Sequence, residues 1–314
     1  MLLILTSTTD LAADYLIIDL IKQGLPYFRL NAEELADADY TFALDRSSVC
    51  REMTVASRTL VLSGIDAVWY RRAMLPNSDP RLSGGERAFV AGELRHLVTG
   101  LVMNPEVNWV NPIDKVYVAE HKLYQLQVAR RLGFRVPRTI VSRDSVTLQN
   151  FAAANLSGTI CKPIFHGLFF DNDARYSIYT RRVTPETLND ADVAVCPVLL
   201  QEEIPRKADV RATFIGSQCF VADIQGGETL VDWRDPQASV RYSVSSLSDE
   251  VMKYCRAMLV ELGLIYGAFD FLRTPDDDLV FLEINPTGEW AWLEDRLGFP
   301  MRDAFIELFF GRQK

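Results

Sequence analysis

Residues 276–300 read DDDLVFLEINPTGEWAWLEDRLGFP, and the fold class turns on this stretch. Three aspartates make a turn, a short apolar run follows, and Glu283 and Asn285 stand inside that run. In a strand, residues two apart share a face, so the carboxylate and the amide project from the same side. The segment before the turn, GAFDFLR, reads as the partner strand of a hairpin. It sets Asp270 opposite or diagonal to Glu283 and Asn285. Two carboxylates a few ångströms apart in an apolar setting lose hydration and repel; they stay ionised only if a cation shares them. A donor set made of oxygens, without His or Cys, favours Mg2+ (or Mn2+), which takes one or two carboxylates plus substrate phosphates. From these residues alone, a solvent-facing edge hairpin accounts for the pattern about equally well.

The rest of the composition narrows the class. The chain has 314 residues, 48% hydrophobic and 24% charged, as in an ordinary water-soluble globular protein, with a formal net charge of -9. Such a surface does not suit a polyphosphate binder, so nucleic acid is not expected as a partner. The basic pairs Arg71/Arg72, Arg130/Arg131 and Arg181/Arg182 read first as solvated, salt-bridged faces. Cys50, Cys161, Cys196, Cys219 and Cys255 are scattered without CxxC spacing, which argues against a disulfide framework and a structural zinc. The opening MLLILTSTTD lacks a basic n-region and is not a signal peptide. No run approaches the roughly 18 apolar residues of a membrane span, so the expectation is a cytoplasmic protein without a membrane partner.

Three pieces follow one another along the chain: 1–112, 113–200 and 201–314. LLILTS, a helical segment ended by Gly24, then PYFRLN and DAVWYRR read as an α/β layer. It lacks a GxGxxG turn, so it reads as scaffold. A helix is expected from about Asp114 to Gly133, with Val118, Leu123, Leu126 and Val128 on one face. GTICKPIF and YSIYTRRV read as strands flanking a Gly, Asp and Asn loop; VLLQEEI, DVRATFIG and QCFVADIQ read as further strands. The helix DEVMKYCRAMLVELG leads into the hairpin. The fold class is therefore a mixture of α/β and α+β pieces. The aromatic tail AFIELFF reads as either an interface or core.

Lysines add to the metal argument. Lys162 interrupts a buried-strand pattern and is expected to reach an anion in a cleft, with PIFHGLFFDND after it as a flap. Lys122 lies on the surface of the helix from Asp114, where an exposed lysine is the ordinary reading, and Arg211 and Arg234 stand in DVR and VDWRDP. No GxxxxGK[ST], HExxH or GxSxG motif is present.

The order Lys122, CKP, QEEI, DVR, FDF and FLEIN resembles the ATP-grasp superfamily. FRLN, VWYRR, DWR and FLEINPTGEWAWLE look like the microviridin-type (graspetide) peptide ligases, with ribosomal-protein-S6 glutamate ligases as more distant relatives. The resemblance covers nearly the whole chain. It implies an N-terminal pre-ATP-grasp domain and two domains that clasp ATP. It implies that Lys122 and Lys162 hold the α- and β-phosphates, that Glu202, Glu203 and Ile204 form the adenine hinge, and that Asp209 meets the ribose. It makes Asp270, Glu283 and Asn285 the Mg2+ ligands, and gives Arg211 and Arg234 catalytic roles at the γ-phosphate and acyl phosphate. The implied reaction activates Asp or Glu side chains of a ribosomal precursor peptide, with its leader and acidic core, as acyl phosphates. Ser, Thr or Lys then closes ω-ester or ω-amide macrocycles, and the implied enzyme is a homodimer. Arg181 and Arg182, beside the flap, are first candidates to meet an acidic peptide. Rival readings are a ligase adding free amino acids, a phosphotransferase, and a nucleotide-binding regulator without turnover. Two departures stand out: Ile284 where many members are expected to have Val, and Thr287-Gly288-Glu289-Trp290 where Asn-Gly-Gln-Trp is expected.

Overall fold

The computed structural model describes residues 1–46, 49–71, 81–103, 107–165, 167–171, 174–189, 193–226, 233 and 239–311. The chain divides into two compact units. One is Met1–Ile113 with Glu289–Trp292 and Pro300–Lys314; the other is Asp114–Gly288 with Leu293–Phe299.

In the first unit, β1 (Leu2–Thr6) is four apolar residues and a threonine, all buried, as a central parallel strand requires. Helix α1 (Leu11–Gln23) returns the chain to β2 (Tyr27–Asn31). Its start is set by Asp10, whose carboxylate accepts from Ala12 N and Ala13 N, and its end by Gly24 at φ +66°. β6 (Ala67–Tyr70) pairs on the other side of β1 and β7 (Asn108–Val110) pairs with β6, giving the parallel order β2-β1-β6-β7. Between them β3 (Asp39–Leu44), β4 (Val49–Val55) and β5 (Arg58–Val61) form an antiparallel sheet, and α2 (Gly84–Val102) follows. Met53, Val55, Leu60, Val98 and Val102 bring that sheet and the end of α2 into the same core as Leu3, Leu5 and Val68.

Arg71, the residue after β6, is only 1% exposed. Its Nε and Nη2 donate to the Asp10 carboxylate at 3.1 and 3.3 Å, and Nη2 also donates to Glu289 at 3.0 Å. Burial raises the carboxyl of Asp10, but the Arg71 guanidinium, the Thr6 hydroxyl and the Ala13 N–H lower it by more, so it ends below its ordinary value. A carboxylate depressed on folding contributes stability that is present above its unfolded pKa and lost as pH falls through the folded value. Arg71→Met is therefore expected to lower the melting temperature at neutral pH, with the difference from wild type shrinking as pH is taken below roughly 4. Parallel melting curves across the acid range check this; a constant offset would refute it.

The C-terminal helix (Met301–Phe310) belongs to this unit, and its aromatic residues are core. Trp69 packs on Phe305 and Phe309 at centroid distances of 5.0 and 5.7 Å, and Trp290 packs on Phe305 at 5.0 Å. Of the two readings of the aromatic tail, packing is the one the structure displays.

The second unit opens with a departure from sequence expectation. The segment expected to be one helix is two, α3 (Ile113–Ala119) and α4 (Lys122–Leu132). Val118 and Leu123 are exposed, and only Leu126 and Val128 of the expected stripe are buried. The cause is Gln125, whose buried amide donates to Ala119 O, the last carbonyl of α3. That carbonyl is thereby satisfied without continuing the helix.

β8 (Thr139–Ser142), β9 (Thr159–Lys162), β12 (Arg181–Val183) and β13 (Val198–Glu202) make an antiparallel sheet in the order β12-β9-β13-β8. Helix α5 (Ser145–Ala154) covers one face through Leu148 and Ala152. The expected strand YSIYTRRV is divided. Its first part lies in a hairpin of β10 (Leu168–Asp171) and β11 (Ala174–Ser177), and its second part is β12.

A five-stranded antiparallel sheet follows, with β14 (Ala208–Ile215), β15 (Gln218–Gln225), β16 (Arg241–Val244), β17 (Tyr266–Arg273) and β18 (Leu279–Asn285) in the order β16-β15-β14-β17-β18. Helix α6 (Asp249–Leu262), capped by Ser248 and Gly263, packs with α4 on one face. Phe214, Phe269, Phe271, Phe281 and Ile284 fill the space beneath them. The other face carries the polar residues.

Candidate active site

The register of β17 and β18 sets Asp270 directly opposite Glu283 and Ala268 opposite Asn285. Pairing then jumps from Asp270/Glu283 to Phe271/Phe281, which leaves Leu282 as an extra residue in a β-bulge. Strict alternation would put Phe281 and Glu283 on the same face. The bulge separates them: Phe281 enters the aromatic core, and Glu283 joins Asp270 and Asn285 on the opposite side. A like-charged pair directly across a ladder is destabilising unless it is compensated. Here each carboxylate has a cation: Arg211 Nε lies 3.0 Å from Asp270 Oδ1, and Lys122 Nζ lies 3.4 Å from Glu283 Oε2. Asn285 Nδ2 donates to Asp270 Oδ2 at 3.3 Å.

Arg211 comes from β14, paired with Asp270 across the ladder, and is buried. Its Nε is close enough to Asp270 for charge pairing without hydrogen-bond alignment, and its Nη1 has no hydrogen-bond partner among the described residues. A buried guanidinium with spare donors is suited to an anion. Its charge lies 6.0 Å from the ring centroid of Trp233. Arg234, the next residue, lies outside the described residues.

Lys122 is the first residue of α4, and its Nζ also donates to Pro163 O at 3.1 Å. Lys162, adjoining that carbonyl, ends β9 opposite Leu199 of β13. The two lysines thus meet at the β9 end, one through its side chain and the other through its backbone neighbour.

The QEEI segment leaves the same sheet. Glu202 exchanges backbone and side-chain bonds with Arg138: its N donates to Arg138 O at 3.0 Å, and its Oε1 accepts from Arg138 N at 2.9 Å. Glu203 N donates to Gly158 O at 2.9 Å. Its carboxylate is held by Arg182, with Nε at 2.9 and 2.8 Å and Nη2 at 2.6 Å. Arg182 is thus engaged with the hinge segment. Ile204 is buried in a small apolar cluster with Leu272 and Val280, against which Leu282 packs. Asp209 projects from the same face of β14 as Arg211, and Arg206 Nε lies 3.0 Å from its Oδ2.

The structure therefore brings Lys122, Arg211, Asp270, Glu283 and Asn285 into one chain of contacts. Lys162 adjoins that chain, and Glu202, Glu203, Ile204 and Asp209 line the segment leading to it. Among the described residues no group of three or more His, Cys, Asp or Glu is placed to hold a metal. Two carboxylates and an amide on one sheet face fit a hard cation that completes its shell with phosphate and water. Two residues important to this arrangement carry no motif. Gln125 bonds the backbone of Ile284, between Glu283 and Asn285. Gly288 lies where a Cβ would stand 2.7 Å from Ala268 Cβ and 3.4 Å from Arg211 Nη1.

Solved structures similar to the chain share this architecture throughout. The macrocyclase MdnC of Microcystis aeruginosa MRC, bound with its precursor peptide MdnA, is 29% identical with a TM-score of 0.88, over 98% of this chain and 99% of that one. The chain has the fold of the ATP-grasp ligases. A RiPP-associated ATP-grasp ligase of Chryseobacterium gregarium, in complex with ADP and a leader and core peptide, is 21% identical with a TM-score of 0.86. That match covers 98% of this chain and 96% of the other. The macrocyclase MdnB of Microcystis aeruginosa MRC is 24% identical with a TM-score of 0.84, over 98% of both chains. No protein-family model matches the chain, and no curated protein sequence does.

Among the described residues Cys161, Cys196, Cys219 and Cys255 are free thiols. Burial pushes the Cys219 thiol up to about 12 and raises Cys255 as well, so neither is a thiolate at neutral pH. No helix among the described residues is long and apolar enough to cross a membrane.

Proposed function

We propose that the ligase uses ATP to activate Asp or Glu side chains of a ribosomal precursor peptide and joins them to Ser, Thr or Lys of the same peptide. The observation that carries this reading is the contact chain Lys122–Glu283 and Asp270–Arg211 on one sheet face, which matches anion-binding cations to oxygen donors. The likeness to MdnC, a macrocyclase bound with its precursor, supports the substrate class.

In this reading Asp270, Glu283 and Asn285 hold Mg2+, which when bound offsets phosphate charge as phosphoryl transfer proceeds. Lys122 and Lys162 hold the α- and β-phosphates. Glu202, Glu203 and Ile204 take adenine against the apolar cluster of Ile204, Leu272 and Val280, and Asp209 takes the ribose. A carboxylate oxygen of the peptide attacks the γ-phosphorus, ADP departs, and an acyl phosphate remains. Arg211 and Arg234 steady the transferring phosphoryl group and then the acyl phosphate, where fixed positive charge contributes most. A hydroxyl or amine attacks the acyl carbon, phosphate leaves, and the proton of the nucleophile is released. Each ring costs the peptide one water. The proposed organisation keeps 113–200 and 201–314 as the two ATP-grasp domains behind a 1–112 pre-ATP-grasp domain. Microviridin-type substrates, a cytoplasmic location and a homodimer belong to the same proposal.

The test is intact mass spectrometry of an acidic candidate precursor incubated with the ligase, ATP and Mg2+. Loss of one water per ring with matching ADP release is the expected result. A mass gain equal to an amino acid or a phosphate would replace this reading with amino-acid addition or phosphotransfer.

A further inference from the structure

We propose that Gln125 is the positioning residue for the metal strand, holding Glu283 and Asn285 in register with Asp270. The inference rests on the metal-site reading given above and goes beyond it, because the hydrogen bonds of Gln125 go to backbone groups of Ala119 and Ile284 and not to a ligand side chain. β18 is an edge strand: one side pairs with β17, and among the described residues the other meets no strand but an isolated parallel bridge from Arg135 to Val280, where Arg135 O accepts from Phe281 N at 2.8 Å. Gln125 takes the place of that missing strand at one residue. Its Oε1 accepts from Ile284 N at 2.9 Å, and its Nε2 donates to Ile284 O at 2.9 Å. An amide side chain that satisfies both backbone groups of one residue reproduces a ladder pair.

The site of this clamp gives it a role. Ile284 lies between the two ligands on β18, and its own side chain points the other way into the aromatic core, where it is 1% exposed. Core packing fixes the residue from below and Gln125 fixes its backbone from the edge, so the flanking side chains inherit a defined direction. The clamp also follows directly on the bulge at Leu282, where the ladder to β17 is locally interrupted and least able to set register by itself. Gln125 is 2% exposed, and its Nε2 is further tied to Ala119 O. Lys122, three residues earlier on α4, reaches the Glu283 carboxylate. One helical turn thus holds the strand by its backbone and by its ligand. Residues that orient metal ligands from behind typically cost a site about 10- to 100-fold in metal affinity when removed.

The experiment measures ADP binding to the full chain as a function of Mg2+ concentration, by calorimetry, with a parallel titration in EDTA. Gln125→Met removes both bonds to Ile284 and the one to Ala119 O at nearly constant volume; Gln125→Glu keeps the acceptor for Ile284 N–H. The expected result is a Mg2+ midpoint raised about tenfold in Gln125→Met and by less in Gln125→Glu, with metal-free ADP affinity unchanged in both. If Gln125→Met does not fold, the Gln125→Glu midpoint decides alone. An unshifted midpoint overturns the inference, as does an equal loss of affinity with and without Mg2+, the mark of general damage. ADP binding by the wild-type chain that ignores Mg2+ would overturn the metal reading itself, and the inference with it.

Discussion

Glu283→Gln is expected to lower ATP turnover by about a thousandfold while the fold survives. The substitution keeps shape and length and removes only the charge that faces Asp270 and Lys122. Lys122 retains its bond to Pro163 O, and Asp270 retains Arg211, so no buried ion is stranded. The opposed carboxylates no longer repel, which offsets part of the lost Lys122 attraction. The net change in stability is therefore expected within about 1 kcal/mol. On the proposed metal reading, what disappears is the cation's place between two negative oxygens, since a neutral amide oxygen is a much weaker ligand for a hard ion. Two readouts separate these statements: turnover of ATP with peptide, and the rise in melting temperature when Mg2+ and ADP are added together. The variant should melt like wild type alone and lose most of that rise. Wild-type turnover, or an undiminished Mg2+-dependent rise, would remove Glu283 from the metal set.

This variant also marks how far the sequence reaches. That Glu283 and Asn285 share a face, and that Asp270 faces them, was legible because strand periodicity is local and a hairpin brings its own partner. The same rule applied to Phe281 and Glu283 puts them together, and there it fails, because the bulge at Leu282 is a property of the pair of strands and not of one. Length and apolar periodicity located α4, but its start at Lys122 depends on Gln125 and a carbonyl brought close by folding. The apolar positions Val118 and Leu123 stand five residues apart, off the i+3 and i+4 spacing of a single helix face, so the stripe is already irregular at the break. Arg182 carries the same lesson. As a basic pair with Arg181 it reads as surface, and only the return of β13 beside β9 brings Glu203 to it. Residues 39–61, rich in charge and only half buried, gave no strand signal strong enough to separate three strands of an antiparallel sheet.

Gly288→Ala is the second large effect, and it reaches the site from a residue that is not itself a proposed ligand. The turn after β18 lies over the polar face, and Tyr266, buried beneath it, donates from its hydroxyl to Gly288 O at 2.6 Å. A methyl group at Gly288 would stand 2.7 Å from Ala268 Cβ, closer than real carbon contacts come, and 3.2 Å from Asn285 Cβ, tighter than most of them. Both neighbours are short and fixed to backbone, so neither can swing aside; the turn or the strand must move. Overpacking of this kind costs about 2 kcal/mol. The functional cost is larger, because the methyl presses on Asn285 and stands 3.4 Å from Arg211 Nη1. Displacing a catalytic group by about 1 Å costs on the order of a hundredfold in rate, the drop expected here. The clash with Ala268 can be relieved from the other side. Ala268→Gly alone should cost roughly 0.5–1 kcal/mol as a glycine in a strand. In the double variant it should recover much of what Gly288→Ala loses, a favourable coupling of about 1 kcal/mol or more. Recovery of turnover alongside stability would show that the lost activity came from displaced groups and not from a partly unfolded sample. A Gly288→Ala enzyme with wild-type melting and turnover would mean that the turn lies farther from the sheet than 2.7 Å allows.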